Sequence, residues 1–156
     1  MTGTVTTRTS MQLTTVCVDA GGSTTTTAID FMYDARYDTD SSLADIAGNY
    51  TLPLPVSTAT NTLNINGDGT VFGLYDNGPR CTLNGTVSII DRDFNLYRFE
   101  ILFSNCTRLA SQYEGATMTG FATRNVPGQK AGAFLLMVTA VIDGRLEFAS
   151  VIYEPV

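Results

Sequence analysis

Histidine is absent from the 156 residues. Its absence removes the side chain most used as a general base near neutral pH, and also the commonest metal ligand. Charge is scarce as well: 15 % of residues are Asp, Glu, Lys or Arg, against roughly 25 % in an ordinary soluble domain. The 9 basic residues stand among 15 acidic ones, for a net charge of −6. That balance builds no phosphate-binding stripe, so duplex nucleic acid is not an expected partner. No apolar run reaches the ~18 residues of a membrane helix. The Thr-rich N-terminus lacks the basic-then-apolar pattern of a signal peptide. Lysine occurs once, at Lys130, beside eight arginines.

What is present is apolar and β-branched. Hydrophobic residues make up 44 % of the chain, which with so little charge argues against disorder. The length fits one domain, 1–156, able to bury a sizeable core. Threonine occurs 24 times and favours strands over helices. An acidic, Thr-rich, Lys-poor composition is common among exported proteins.

The chain reads as a succession of strands. Thr4–Thr9, Met11–Val18 and Thr24–Tyr33 come first. A polar stretch then leads to Leu43-Ala44-Asp45-Ile46-Ala47-Gly48. There Ser41 or Ser42 can cap a single helical turn, Asp45 suits its first turn, and Gly48 can end it. The remainder reads as strands only: Asn49–Leu52, Thr62–Asn66, Thr70–Leu74, the hairpin 81–106, Ala116–Thr123, Ala133–Ile142 and Arg145–Tyr153.

Two hairpins have a readable register. In the first, pairing Ile89 with Tyr97 and Val87 with Phe99 joins the face of Leu83, Val87 and Ile89 to that of Tyr97, Phe99, Ile101 and Phe103. This register leaves Cys81 opposite Asn105, one residue short of Cys106. A bulge near Ser104-Asn105 brings the cysteines together and predicts a Cys81–Cys106 disulfide; two buried free thiols are the alternative. A disulfide implies an oxidising compartment. Cys17 reads as a small core or strand residue, since no activating histidine exists to make it a nucleophile. In the second hairpin, Asp143-Gly144 is a two-residue turn of the type I′ class. It pairs Phe134 with Tyr153, Leu135 with Ile152, Leu136 with Val151 and Val141 with Leu146. Phe134–Ile142 is then apolar on both faces. One face should pack with Phe99, Ile101 and Phe103, and the other under the Leu43–Ile46 turn or a second copy of the chain.

About ten strands joined mostly by short turns predict an all-β antiparallel meander. We expect it to close as a barrel of eight to ten strands with one short helix; a two-sheet sandwich is the alternative. A short echo, Gly, any residue, an apolar or small residue, then Ser or Thr, recurs at Gly3, Gly48, Gly85 and Gly120. It is read as bends or close approaches where barrel strands begin.

Several runs resemble segments of a family of proteobacterial secreted lipoproteins. They are Ser41–Thr51, Leu63–Gly73, Cys81–Asp91, Asn95–Arg98 and Asn105-Cys106, with the Gly3-Thr4-Val5 and Ser10-Met11 pattern upstream. The resemblance implies an envelope protein in the periplasm or on the outer-membrane or cell surface, without assigned activity. It also implies a signal peptide and a lipid-modified cysteine upstream of such a domain. Neither lies in this sequence, so membrane attachment is expected only through that anchor. The family supplies no catalytic residues.

The residues themselves offer few chemical sites. Asp30, Asp34, Asp38, Asp40 and Asp45 are close in sequence; calcium or simple loop solvation and helix capping are the two readings. The glutamates are Glu100, Glu114, Glu147 and Glu154, and nothing in their spacing sets two across a cleft as a glycosidase requires. No catalytic residue, cofactor or metal is expected. Phe31, Tyr33 and Tyr37 beside Asp34, Asp38 and Asp40 are either core and rim aromatics or a partner-binding edge. The leading expectation is a non-enzymatic exported domain that binds a partner or structures the cell surface. The alternatives are a lipocalin-like carrier of an apolar ligand and an inhibitor or immunity protein against an envelope toxin. A homodimer would cover the second apolar face.

Overall fold

A computed structural model describes residues 2–6, 9–18, 22–53, 61–76 and 80–156. They form two compact units, Met1–Arg36 and Tyr37–Val156. The first is a three-stranded antiparallel sheet of β1 (Thr2–Thr6), β2 (Ser10–Val18) and β3 (Thr24–Met32), in that order. Cys17 lies in β2, with its side chain outside the described residues. The turn predicted over Asp19–Ser23 is described only from Gly22 onward.

The second unit is the barrel. Its strands are β4 (Gly48–Thr51), β5 (Thr62–Ile65), β6 (Thr70–Asp76), β7 (Arg80–Ile89), β8 (Tyr97–Ser104), β9 (Thr117–Arg124), β10 (Phe134–Ile142) and β11 (Arg145–Pro155). They close in the order β10-β11-β4-β5-β6-β7-β8-β9. The architecture is therefore a closed eight-stranded antiparallel barrel and not a sandwich. A barrel domain running over 1–156 is corrected by this: the first three strands pair only with one another. The reason lies in the edges. β4 has β5 on one side and β11 on the other, so the barrel offers no edge to the earlier strands.

Alternation builds the interior. β8 runs buried-exposed throughout, with Tyr97, Phe99, Ile101 and Phe103 inside. β7 pairs Ile89 with Tyr97 and Val87 with Phe99, as the apolar faces dictate. β10 pairs Phe134 with Tyr153 and Leu136 with Val151. Its turn places Asp143 at φ 49° and Gly144 at φ 73°, the two left-handed positions of a type I′ turn. Phe134 sits at the centre, stacked on Phe99 at 5.8 Å and on Tyr153 at 5.4 Å, with Tyr50 edge-on at 4.8 Å.

Gly85 and Gly120 lie within β7 and β9 and not at strand starts, which corrects their predicted place. Close approach is the reason. A Cβ on Gly85 would lie 2.0 Å from the Glu100 carbonyl oxygen, and one on Gly120 1.9 Å from that of Met137. At Gly48 alone of the barrel glycines in the echo does a strand begin.

One end of the barrel is plugged by α1 (Leu43–Ile46). Ser42 and Asp45 form a capping box, each side chain meeting the other's backbone N–H. The helix ends at Ala47, one residue before the predicted Gly48. Ile46 is fully buried, and Leu43 lies over Gly69 in the β5–β6 turn. Tyr50 donates to the Ile46 carbonyl at 2.9 Å and Tyr97 to that of Ser42 at 3.3 Å. The Ser41 amide donates to the Arg92 carbonyl at 2.9 Å, and Arg124 reaches the Asp45 carboxylate at 3.6 Å. Burial raises the Tyr50 and Tyr97 phenols above their usual range. Because α1 sits at this end and against β7, it does not cover the outer face of β10. Met137 and Val141 are exposed there, with Phe121, Leu146 and Phe148 on neighbouring strands. The expectation that the helix covers this face is thus corrected.

Candidate functional site

The disulfide lies at the other end of the barrel. Cys81 and Cys106 are bonded, with Cα atoms 4.1 Å apart. The pairing of Thr82 with Ser104 would set Cys81 opposite Asn105. Asn105 instead adopts φ 51°, a left-handed conformation that asparagine tolerates better than most residues. That kink absorbs the extra residue and swings Cys106 onto Cys81, and the Asn105 side chain donates to Thr82 Oγ1 at 3.1 Å.

The bridge anchors the connection that follows. Thr107 N–H donates to the Arg80 carbonyl at 2.7 Å, and Arg80 N–H to Thr107 Oγ1 at 3.0 Å. Cys106 N–H donates to the Glu114 carboxylate at 2.6 Å. Between these ties runs a 3-10 turn, Arg108–Tyr113. It carries Tyr113 to Phe103 at 5.5 Å and to Tyr75 at 6.2 Å between ring centroids. Tyr75 meets Phe103 edge-on at 6.0 Å.

These rings border a cavity of about 240 Å³ in the barrel interior. Its walls are the inward side chains of Leu83, Ile101, Leu136, Val138 and Val151. Polar atoms are few. Asn61 is buried, its Oδ1 accepting from the Asp76 amide at 2.8 Å and its carbonyl from the Leu52 amide at 2.9 Å. Glu147 stands at the mouth, where the rim continues through Gln112, Asp143 and Arg145. Tyr153 is 6 % exposed and lines the cavity. Burial, with a smaller push from the neighbouring Tyr75 phenol, raises it to about 12.

The acidic and aromatic residues singled out in the sequence lie elsewhere. Phe31, Tyr33 and Asp34 belong to the first unit. Phe31 is exposed on β3, Tyr33 follows that strand, and the Asp34 carboxylate is gripped by the Arg36 guanidinium, which holds its carboxyl below the usual range. Tyr37, Asp38 and Asp40 belong to the second. Tyr37 stacks on Phe94 at 4.8 Å, and its carbonyl accepts from the Asn95 amide at 2.9 Å. That puts Tyr37 on the β7–β8 connection beside the helix plug, at the end away from the cavity. Nor do the glutamates converge: Glu100 is on the outer face of β8, Glu114 holds Cys106, Glu147 is at the mouth and Glu154 is at the β4–β11 seam.

Sequence reasoning did not assemble Tyr75, Tyr113, Tyr153 and Glu147. Part of the signal was there. Tyr153 pairs with inward Phe134, and Tyr75 continues the inward register of Val71 and Gly73. No family model, no curated protein and no solved structure matches this chain.

Proposed function

We propose that this protein is a non-catalytic binding domain that takes a small apolar ligand into the open end of its barrel. The observation that carries this reading is the combination of an apolar interior cavity at one end with a packed, hydrogen-bonded helix plug at the other. A filled barrel has no room for a guest, and a barrel open at both ends would admit water throughout. The partner-edge reading has weaker support, because its six residues divide between two units while the cavity residues share one. The disulfide supports work in an oxidising compartment, so we further propose export, with the chain serving as the folded part of an envelope lipoprotein anchored from upstream.

Native mass spectrometry of protein purified without denaturation tests the reading. A co-purified small molecule, lost on unfolding, is the expected result. A bare mass, together with no uptake of added toluene, xenon or a short-chain alcohol, would sink it.

A further inference from the structure

The size, walls and Tyr153 hydroxyl of the cavity narrow its ligand, and the following rests on the carrier reading above. We propose that the ligand is a neutral compound of one aromatic ring bearing a hydrogen-bond acceptor, and that the Tyr153 hydroxyl donates to that acceptor.

Volume sets the scale. An apolar cavity of about 150 Å³ takes benzene, and drug-sized ligands occupy roughly 300–1,000 Å³. The 240 Å³ found here lies between the two, enough for one ring with a short substituent. The walls set the class. Tyr75, Phe103 and Tyr113 already meet one another edge-on or tilted, and an aromatic guest extends that packing at the same spacing. Because the three rings contact each other, they are not spread apart to sandwich an ammonium ion.

Charge selects against ions. Among the described residues the cavity lining carries no lysine or arginine, so an anion finds no cationic partner inside. A cation could pair with Glu147 only at the mouth; deeper inside it would leave water for apolar walls without a paired charge, which is costly.

Tyr153 supplies the specificity. Its ring is packed on Phe134 and its exposure is only 6 %. Among the described residues its hydroxyl has no hydrogen-bond partner, unlike Tyr50 and Tyr97, each of which donates to a carbonyl in the plug. The side chain is buried and lines the cavity, so a guest can supply the partner that the hydroxyl lacks. A phenol is neutral at physiological pH, so the group can donate to a guest.

The test uses the disulfide-intact full chain and four probes of similar size: acetophenone, ethylbenzene, benzoate and benzylamine. Titration calorimetry should show acetophenone binding roughly tenfold more tightly than ethylbenzene, the scale of one hydrogen bond, and neither ion binding measurably. Tyr153→Phe should erase the preference, bringing acetophenone to the affinity of ethylbenzene in the same variant. Infrared spectroscopy of bound acetophenone should show its carbonyl stretch lowered in the wild type, a readout that needs no variant. Equal affinity for acetophenone and ethylbenzene, or an unshifted carbonyl, would overturn the hydrogen-bonded head while leaving the cavity reading intact. Tighter binding of benzylamine or benzoate would overturn neutrality. Binding of none of the four would overturn the carrier reading itself.

Discussion

Reducing the Cys81–Cys106 bridge removes a constraint whose size follows from chain geometry. The two cysteines are 25 residues apart. A closed loop of that length restricts the unfolded chain by about 12 cal/mol/K, or about 3.5 kcal/mol at 25 °C, in the chain-entropy account. Against the ~5–15 kcal/mol that holds a domain together, the loss is large. With a urea slope of about 1–3 kcal/mol/M, the midpoint should fall by about 1–3.5 M, read by far-ultraviolet circular dichroism with and without reductant. The local ties add a second readout. Cys106 leads directly into the Thr107, Glu114 and Tyr113 contacts at the mouth, so reduction should also weaken ligand uptake under conditions where the barrel remains folded. A midpoint shift below about 0.3 M would refute the entropic argument. Iodoacetamide should modify one of the three cysteines in the unfolded, unreduced protein; modification of all three would refute the bridge in solution.

Three further predictions bear on the barrel. Leu136 is 2 % exposed inside and Leu135 points outward, so Leu136→Ala should cost about 2–5 kcal/mol and Leu135→Ala well under half of that, by urea titration. Equal costs would mean the strand's inside and outside are misassigned. Gly120→Ala should destabilise by at least ~1–3 kcal/mol, because the added Cβ meets the Met137 carbonyl oxygen at 1.9 Å; a neutral result would show that β9 and β10 can separate freely. Tyr153 has its pKa raised to about 12 when folded, above the ~10 of an unfolded tyrosine. Its neutral form is therefore favoured by folding: this contribution is fully present below pH 10 and is lost as pH rises through 12. The wild type should lose about 2–3 kcal/mol across that window, and Tyr153→Phe should lose less. Parallel alkaline titrations of the two would contradict it.

Local signals carried much of the barrel. Asp143-Gly144 fixed the β10–β11 register because two consecutive left-handed positions admit few residue pairs. The apolar alternation of β7 and β8 fixed theirs because a one-residue slip would turn Phe99 and Ile101 outward. The one-residue mismatch at Cys81 was legible, and Asn105 is the residue type that resolves it. What was not legible depends on contacts distant in sequence. Thr-rich strands of similar composition do not say which sheet they join, so β1–β3 could not be told from barrel strands. The turn Arg108–Tyr113 is too short to show a period, which hid Tyr113. The cavity needs Tyr75, Tyr113 and Tyr153 from three separate segments, and no spacing links them. The apolar outer face of β10 was correctly read as apolar, but the helix expected to cover it follows the polar chain into the barrel's end, where Ser42, Tyr97 and Arg124 hold it.

The β4–β11 seam governs how the barrel is made. Seven of its eight pairings join strands consecutive along the chain, so each can form as a hairpin at small entropic cost. The eighth joins Thr51 to Glu154 and Tyr50 to Pro155, residues about a hundred positions apart. Closing a loop of that length costs on the order of 4 kcal/mol by the logarithmic rule, and a ladder of two pairs, one of them a proline without an N–H, offsets little of it. The compensation comes from the aromatic cluster spanning the seam, where Tyr50 and Tyr153 both pack on Phe134. Closure is thus an event of side-chain packing more than of strand pairing. By this reasoning the meander of hairpins should form before the cylinder closes, with closure tied to Tyr50 packing on Phe134. Folding rate should accordingly respond more to Tyr50→Leu than to any substitution that alters the seam's backbone hydrogen bonds alone.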